Sequence, residues 1–235
     1  MNDTIEKTDM QLKDDVLAEL KYEPIVKVTG IGVLVKNGTV TLNGYVSSYV
    51  EKLEAVQAVK RIAGVKAIAD DIEIQLPASY HRTDSDIAAA ATNQLNWATL
   101  IPPGTIQVTV REGTITLEGE VESWFQKNVA ANVVRHLLGV TGVSNRLSLA
   151  QPIRKVVEPT VKPVEVEKAI KSAFKRSAVV DANKISVETS GSNVELIGNV
   201  RNLAEREEAE RAAWAAPGVF SVDNQLTVKW FERSQ

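Results

Sequence analysis

The chain contains three copies of one small unit, and this repetition constrains its fold more than any other feature of the sequence. The best-matched stretches of the copies start at Val40, Ile115 and Val194, so successive copies are offset by 75 and 79 residues. No insertion or deletion is needed inside a copy to keep the three in register. The 235 residues therefore predict three small domains in tandem, which we number repeat 1, repeat 2 and repeat 3.

The positions that coincide in all three repeats are glycines and apolar residues. In chain order these positions are Gly44, Gly119 and Gly198; Val46, Val121 and Val200; Gly64, Gly139 and Gly218, each followed by valine; Ile68, Val143 and Val222; and Ile72, Leu147 and Leu226. Glycines of this kind set turns, and apolar residues fill a core. The shared residues therefore explain the fold, and any function should lie in the differences between the repeats.

Two short linkers separate the repeats. The predicted domains are residues 1–76, 84–150 and 163–231. The predicted linkers are residues 77–83 and 151–162. Pro152 and Pro159 lie in the second linker and Pro163 follows it. Because proline favours extended backbone, we expect this linker to be semi-stiff.

Each repeat opens with the pattern of an amphipathic helix. In repeat 1, Leu12, Val16 and Leu20 recur at every fourth position, which is helical spacing. Asp9 is placed to cap this helix, and Asp84 is its counterpart in repeat 2. Pro163 takes the equivalent place in repeat 3, where a proline in the first turn is tolerated.

A hairpin and a second helix follow in each repeat. Asn37-Gly38 predicts a type I′ turn between two strands of alternating polarity. The second helix starts at a recurring capping box, formed by Ser48 with Glu51, Ser123 with Gln126, and Asn202 with Glu205. The recurrent glycine twenty residues after the first is expected to end this helix as its C′ residue. A third strand closes the unit, which predicts an α+β fold: three αββαβ domains, each with two helices on one face of a small three-stranded mixed sheet.

This pattern resembles the BON domain (bacterial OsmY and nodulation), and the resemblance covers nearly the whole chain. The motif is G-x-V before a capped helix, then G-V-x-x-V-x-N-x-L; Asn145 and Asn224 occupy its asparagine position, whereas repeat 1 departs from it with Asp70-Asp71. The resemblance implies a bacterial protein of the OsmY type, with three units where that type has two. It further implies an association with the cell envelope, with osmotic or other stress, and with anionic phospholipids.

Catalytic, metal and cofactor chemistry have no support in the sequence. The chain has no cysteine, and His81 and His136 have no second ligand or nucleophile motif beside them. We therefore predict a non-enzymatic protein without cofactor or metal. The formal net charge of −3 disfavours nucleic acid as a partner. With no transmembrane segment and no export signal in the sequence, we expect a cytoplasmic protein; a periplasmic address is the alternative if a signal has been removed.

An aromatic position inside the start of the second helix is the first candidate contact surface. Tyr49 and Trp124 are equivalent there, and Phe125 and Lys127 follow Trp124. A helix N-terminus offers free N–H groups to an anion such as a lipid phosphate, and the aromatic rings suit a headgroup region. Alternatively, Trp124 packs over its own sheet or a neighbouring domain.

A basic helix face is the second candidate. Lys168, Lys171 and Lys175 share one face of the first helix of repeat 3, and Arg154, Lys155, Lys162 and Arg176 add positive charge nearby. The alternative is an ordinary solvated face. The sequence thus predicts a stress- or envelope-associated binding protein that contacts anionic phospholipid or a protein partner. The competing hypotheses are a self-associating scaffold, which would be a homo-oligomer, and a transport-associated component.

Overall fold

The computed structural model describes residues 7–150 and 163–229, and each repeat in it has the predicted order αββαβ. Repeat 1 comprises α1 (Asp9–Tyr22), β1 (Ile31–Lys36), β2 (Thr39–Val46), α2 (Tyr49–Lys60) and β3 (Ala67–Ile74). Repeat 2 comprises α3 (Asp84–Trp97), β4 (Ile106–Arg111), β5 (Thr114–Val121), α4 (Trp124–Val134), β6 (Gly142–Asn145) and β7 (Ser148–Leu149). Repeat 3 comprises α5 (Pro163–Arg176), β8 (Ile185–Ser190), β9 (Asn193–Val200), α6 (Leu203–Trp214) and β10 (Ser221–Val228). The predicted linker 151–162 lies outside the described residues.

Each repeat forms one small mixed sheet with its second strand in the centre. The first two strands pair antiparallel, as a hairpin, and the third pairs parallel to the second, as β9 and β10 do in repeat 3. A parallel pair needs a crossover connection, and the second helix supplies it. In repeat 2 the third strand is interrupted, so that β6 and β7 both pair with β5. The predicted α+β class, with three tandem αββαβ domains, is confirmed.

The core of each repeat lies between its sheet and its two helices. In repeat 3, alternate residues of β9 are buried, and so is a stripe of α5 at helical spacing. The buried apolar residues of α5 and β9 are Val166, Ile170, Phe174, Val194, Leu196 and Val200. Because apolar residues of one sheet face meet the apolar stripes of both helices, the opposite sheet face is left to solvent.

The chain is organised in two units that do not coincide with the repeats. Among the described residues, one unit holds 7–44, 54–72 and 163–229, and the other holds 45–53 and 73–150. Most of repeat 1 is thus in one unit with repeat 3. The end of β2 and the start of α2 belong to the unit of repeat 2.

The predicted caps of the first helices are wrong by one residue. Thr8 and Thr83, not Asp9 and Asp84, are the N-caps, and each hydroxyl accepts the N–H of the third helical residue in a complete capping box. Threonine hydroxyls are good N-cap acceptors. The aspartates that follow are thereby left free to bond outside their helix.

Asp9 ties α1 to the hairpin turn of repeat 1. Its carboxylate accepts the N–H groups of Asn37 and Gly38, at 2.8 and 3.0 Å. Asp84 makes the same two bonds in repeat 2, to Glu112 and Gly113, at 2.9 and 3.0 Å. These turn N–H groups have no partner in the strand ladder, so the carboxylate satisfies donors that would otherwise need water.

The hairpin turn of repeat 1 has the geometry that Asn37-Gly38 predicts, and the turn of repeat 2 has the same geometry. Asn37 and Gly38 have φ of 52° and 76°, and Glu112 and Gly113 have φ of 50° and 76°. Positive φ at both central positions defines the type I′ turn. In repeat 3 the turn carries a positive φ at Gly191 instead, at 61°.

The predicted second-helix caps are confirmed, with one change. The cap bonds join the N–H of Glu51, Gln126 and Glu205 to the side chains of Ser48, Ser123 and Asn202, at 3.1, 3.2 and 2.8 Å. The return bonds come from the residue before the cap: the N–H groups of Ser47, Glu122 and Arg201 donate to Glu51, Gln126 and Glu205, at 2.9, 2.8 and 2.8 Å. Each helix start is therefore locked to the loop that precedes it.

The recurrent second glycine does not sit at C′ as predicted. The second helices end at Lys60, Val134 and Trp214, and Gly64, Gly139 and Gly218 follow four or five residues later with φ between 85° and 94°. Short turns of 3₁₀ type fill this gap, as in the bond from the N–H of Ile62 to the carbonyl of Val59. The glycine therefore shapes the turn into the third strand.

The first recurrent glycine has a different role, because the backbone passes close to it. A Cβ placed on Gly44, Gly119 or Gly198 would overlap the carbonyl oxygen of Gly30, Thr105 or Lys184, respectively. Each of these carbonyls belongs to the residue just before the first strand. A side chain at the glycine would thus push the hairpin apart.

We predict that Gly198→Ala destabilises repeat 3 by about 2–5 kcal/mol, since it combines a left-handed φ with a collision against backbone. Gly191→Ala is the matched control, because Gly191 also has positive φ but has open space around it; we expect it to cost about 1–2 kcal/mol. Hydrogen exchange of the β9 amides in the full chain measures both values. Equal effects of the two substitutions would contradict the collision.

Candidate functional site

The first candidate surface is the basic ridge, which we define as Lys168, Lys171 and Lys175 on α5. All three side chains are exposed, on a different face from the buried stripe of this helix. Val164 lies in line with them and is 72% exposed. The predicted shared face is therefore present, with an apolar residue at its N-terminal end.

The charge of the ridge is only partly neutralised. Lys171 pairs with Glu167 at 2.6 Å, which is an ordinary i, i+4 ion pair on an exposed helix. In the described part of the chain, Lys168 and Lys175 have no such carboxylate partner. The helix as a whole carries four cationic and two anionic side chains. Arg154, Lys155 and Lys162 lie outside the described residues.

The aromatic candidates are split between two helix starts. Tyr49, at the start of α2, is partly buried and packs against the core of repeat 2. In the first turn of α4, Trp124 is partly buried and Phe125 is 58% exposed. Lys127, one turn on, is also partly buried. The structure thus keeps Phe125 available for contact and uses Tyr49 for packing between repeats.

The asparagine of the repeated motif has a structural role. Asn145 accepts the N–H of Leu147 at 3.3 Å and donates to the carbonyl of Lys127 at 2.7 Å, which joins the third strand to α4. Asn224 likewise accepts the N–H of Leu226, at 3.2 Å. Asp70, at the same position in repeat 1, accepts the N–H of Ile72 at 3.2 Å. A carboxylate has no N–H to donate, so Asp70 makes the acceptor bond of this asparagine but cannot make its donor bond.

An exposed apolar pair after the first helix was missed in the sequence. Tyr22 and Trp97 are the last residues of α1 and α3, and each is 85% exposed. Three residues later, Ile25 and Leu100 are 53% and 50% exposed. We call these two pairs the apolar tips. They occupy equivalent positions in repeats 1 and 2, offset by 75 residues, and this coincidence was the signal that could have identified them.

Repeat 3 has a basic residue where the other two repeats have the aromatic residue of their apolar tips. Its α5 ends at Arg176, the counterpart of Tyr22 and Trp97, and Val179 three residues later is 45% exposed. The basic ridge therefore runs along α5 toward an exposed apolar residue. Exposed apolar patches mark surfaces suited to contact, and the apolar tips recur at equivalent positions in two repeats.

Repeats 1 and 3 contact each other within their unit, a feature that no local pattern of the sequence predicts. The start of α6 meets the turn after α2. The N–H of Gly64 donates to the carbonyl of Arg201 at 3.0 Å, and the Asn202 amide donates to the carbonyl of Arg61 at 2.8 Å. Lys60 and Glu207 form an ion pair at 2.6 Å. The repeats are thus joined by specific polar bonds as well as by the chain.

The Arg61 side chain is fixed on the repeat 1 side of this contact. It pairs with Glu19 and Glu23, at 2.9 and 3.0 Å. Burial acts to lower the pKa of Arg61, but the hydrogen bonds to the two carboxylates outweigh it and raise that pKa. The carbonyl that receives Asn202 therefore belongs to a residue that is held in place.

A shallow pocket of about 320 Å³ in repeat 1 is polar, and nothing in it resembles a reaction centre. Its lining residues are Lys7, Asp9, Leu12, Asn37, Gly38, Gly64 and Lys66. Hydrogen bonds from the N–H groups of Asn37 and Gly38 lower the pKa of Asp9. Across residues 7–150 and 163–229, no group of three or more His, Asp or Glu side chains is placed to hold a metal ion. The Nε2 atom of His81 is 3.1 Å from the carbonyl oxygen of Leu76, and His136 is exposed.

None of the helices in residues 7–150 and 163–229 has the length and the apolar character that crossing a membrane requires.

The family model for the BON domain matches the chain three times, over residues 8–75, 83–151 and 164–229. The osmotically-inducible protein Y of Escherichia coli (strain K12) is 34% identical over 128 residues, which are 53% of this chain and 62% of that protein. The match thus spans less than two thirds of the relative's length.

Two solved structures of type III secretion proteins align at low similarity. The C-terminal domain of CdsD from Chlamydia trachomatis is 15% identical, with 96% of this chain and 100% of that chain covered and a TM-score of 0.26. The periplasmic domain of PrgH from S. typhimurium is 10% identical, with 90% and 100% covered and a TM-score of 0.20. TM-scores in this range do not establish a common arrangement.

We predict that Asp9→Asn destabilises repeat 1 at neutral pH, because the charged acceptor of two turn N–H groups is lost. Since the pKa of Asp9 is lowered in the folded chain, its contribution is present above about pH 4 and disappears as the pH falls through the folded pKa. Urea unfolding at pH 7 and pH 3 should show the difference between wild type and variant shrinking in acid. Asp14→Asn, at an exposed position of the same helix, is the control, and a pH-independent difference would contradict the assignment.

Proposed function

This chain belongs to the BON domain family, and we propose that it is a non-catalytic binding protein that contacts anionic phospholipid at the bacterial cell envelope under osmotic or related stress. The observation that carries the proposal is the exposed basic ridge on α5, with Lys168 and Lys175 free of described carboxylate partners. The name of the Escherichia coli relative, osmotically-inducible protein Y, supports the stress association.

The basic ridge has a charge suited to a membrane surface. Each lysine near an anionic surface contributes about 1 kcal/mol, so three on one face contribute about 3 kcal/mol. This attraction is not specific for one lipid; it requires net negative charge. Our expectation of a cytoplasmic address, with the periplasm as the alternative, stays a prediction, and the proposed binding depends on the surface charge rather than on the compartment.

The apolar tips supply a second kind of contact. Aromatic side chains are favoured at the boundary between headgroups and acyl chains, where a polar edge and an apolar body are both accommodated. Trp97 and Leu100 are exposed together, as are Tyr22 and Ile25. Apolar burial of one such side chain contributes roughly 1.5–3 kcal/mol when it is complete. The tips would therefore add to the electrostatic attraction.

Co-sedimentation with vesicles tests the ridge. We expect binding to phosphatidylglycerol vesicles and none to phosphatidylcholine vesicles. Lys168→Gln, Lys171→Gln and Lys175→Gln together should reduce the partition coefficient by about 100-fold at low salt, the equivalent of about 3 kcal/mol.

The matched control is a triple variant with the same change of net charge, Lys13→Gln, Lys36→Gln and Lys229→Gln, at exposed positions outside α5. It should lose less than threefold in partition. Equal binding of the wild-type chain to charged and neutral vesicles would refute the lipid proposal. Concentration-dependent light scattering without vesicles would favour the scaffold hypothesis instead.

A second comparison decides which apolar surface takes part. We expect Trp97→Ser with Leu100→Ser to weaken vesicle binding by about tenfold, in keeping with the loss of roughly 1.5 kcal/mol of apolar contact. Phe125→Ser tests the start of α4 in the same assay. If Phe125→Ser weakens binding and the tip variant does not, the contact lies at Trp124, Phe125 and Lys127 and not at the tips.

A further inference from the structure

Glu205 is a carboxylate inside repeat 3 that accepts more hydrogen bonds than a helix cap requires. It is 1% exposed. One carboxylate oxygen accepts the backbone N–H of Asp181 at 2.8 Å. The other accepts the backbone N–H of Arg201 at 2.8 Å and the Nε–H of its side chain at 3.0 Å. A buried carboxylate is stable only with several donors, and here three are supplied by two residues.

Repeat 2 shows why this position is a carboxylate in repeat 3. Its counterpart there is Gln126, whose single carbonyl oxygen accepts the N–H of Glu122 at 2.8 Å. The counterpart of Asp181 in repeat 2 is Pro102, which has no N–H. The Gln126 amide suffices in repeat 2 because only one backbone N–H must be accepted. Repeat 3 needs a carboxylate because two loops each present a backbone N–H to residue 205.

The residue that Glu205 holds is also the one that contacts repeat 1. Arg201 presents its carbonyl to the N–H of Gly64 at 3.0 Å. Its neighbour Asn202 accepts the N–H of Glu205 with Oδ1, at 2.8 Å, and donates from Nδ2 to the carbonyl of Arg61, also at 2.8 Å. The Arg201 carbonyl and the Asn202 side chain, which make two of the contacts with repeat 1, therefore belong to residues whose backbone Glu205 fixes from within repeat 3.

We infer that Glu205 is the positioning residue that docks repeat 3 on repeat 1. It acts through the Arg201 N–H, and it makes none of the described bonds to repeat 1 itself. Its removal leaves the surface of repeat 1 unchanged, because Arg61 is held there by Glu19 and Glu23. The contact between repeats 3 and 1 therefore depends on the bond from the Arg201 N–H to Glu205, which closes the loop before α6.

Hydrogen exchange of the Gly64 amide in the full chain tests this inference. Gly64 is in repeat 1, so a role of Glu205 confined to its own repeat would not change the exchange rate of this amide. In Glu205→Gln the single amide oxygen must serve the N–H groups of both Asp181 and Arg201, so the Arg201 N–H loses the oxygen that it has in the wild-type chain. We expect Gly64 to exchange at least tenfold faster, while the amides of β1 and β2 keep their rates.

Two further variants keep the test decisive. Glu188→Gln makes the same chemical change at an exposed position of β8 in repeat 3, and it should leave the Gly64 rate within twofold. Asp181→Pro with Glu205→Gln imports the pair found in repeat 2, so that the one amide oxygen is free to accept the Arg201 N–H; this double variant should restore slow exchange at Gly64.

An unchanged Gly64 rate in a folded Glu205→Gln chain would overturn the inference. If Glu205→Gln unfolds repeat 3, as protection of the β9 amides will show, the double variant decides. Slow exchange at Gly64 in a folded double variant supports positioning through the Arg201 N–H, and fast exchange there overturns it.

Discussion

A side chain three residues inside the second helix closes the loop that precedes it. Glu51, Gln126 and Glu205 each accept an N–H from the residue before the N-cap, and each donates its own N–H to the cap side chain. This loop joins the central strand to the crossover helix, so its closure fixes where the helix lies on the sheet. The parallel third strand can pair only when that crossover is in place. In repeat 3 the same closure positions Arg201 and Asn202, which contact repeat 1.

The sequence was sufficient for the fold because its signals are local and occur three times. Hairpin turns, capping side chains and apolar stripes are determined by neighbouring residues, and three agreeing copies remove chance matches. The errors were also local. Thr8 and Asp9 are adjacent and both suit an N-cap, so the sequence alone does not show which one caps α1. The bonds of Asp9 to Asn37 and Gly38 in the folded chain distinguish the two roles. Gly64 was assigned to the helix end because a short 3₁₀-type turn gives no distinct sequence signal.

The surfaces were harder to predict because they depend on what lies far away in sequence. The basic ridge follows from helical spacing alone, and the structure has it. Tyr49 and Phe125 both belong to the start of a second helix, yet one packs against repeat 2 and the other is exposed. The bond from Asn202 to Arg61 spans 141 residues, and no spacing rule connects them. The apolar tips were visible only as a coincidence between repeats.

The three repeats therefore share their architecture and divide their surfaces. Shared glycines and valines build the sheet and core, whereas the basic ridge belongs to repeat 3 and the apolar tips belong to repeats 1 and 2. Such a division allows one small fold to present several contact surfaces without changing its core.

The proposed contact of the apolar tips and the basic ridge with an anionic bilayer can be measured by spin-label accessibility. The chain has no cysteine, so Leu100→Cys carries a single label at a tip and Lys36→Cys carries one at an exposed strand end. On addition of phosphatidylglycerol vesicles, the label at 100 should become more accessible to oxygen and less accessible to a polar nickel reagent, while the label at 36 stays in water. A label at 100 that remains as water-exposed as the one at 36 would contradict this contact.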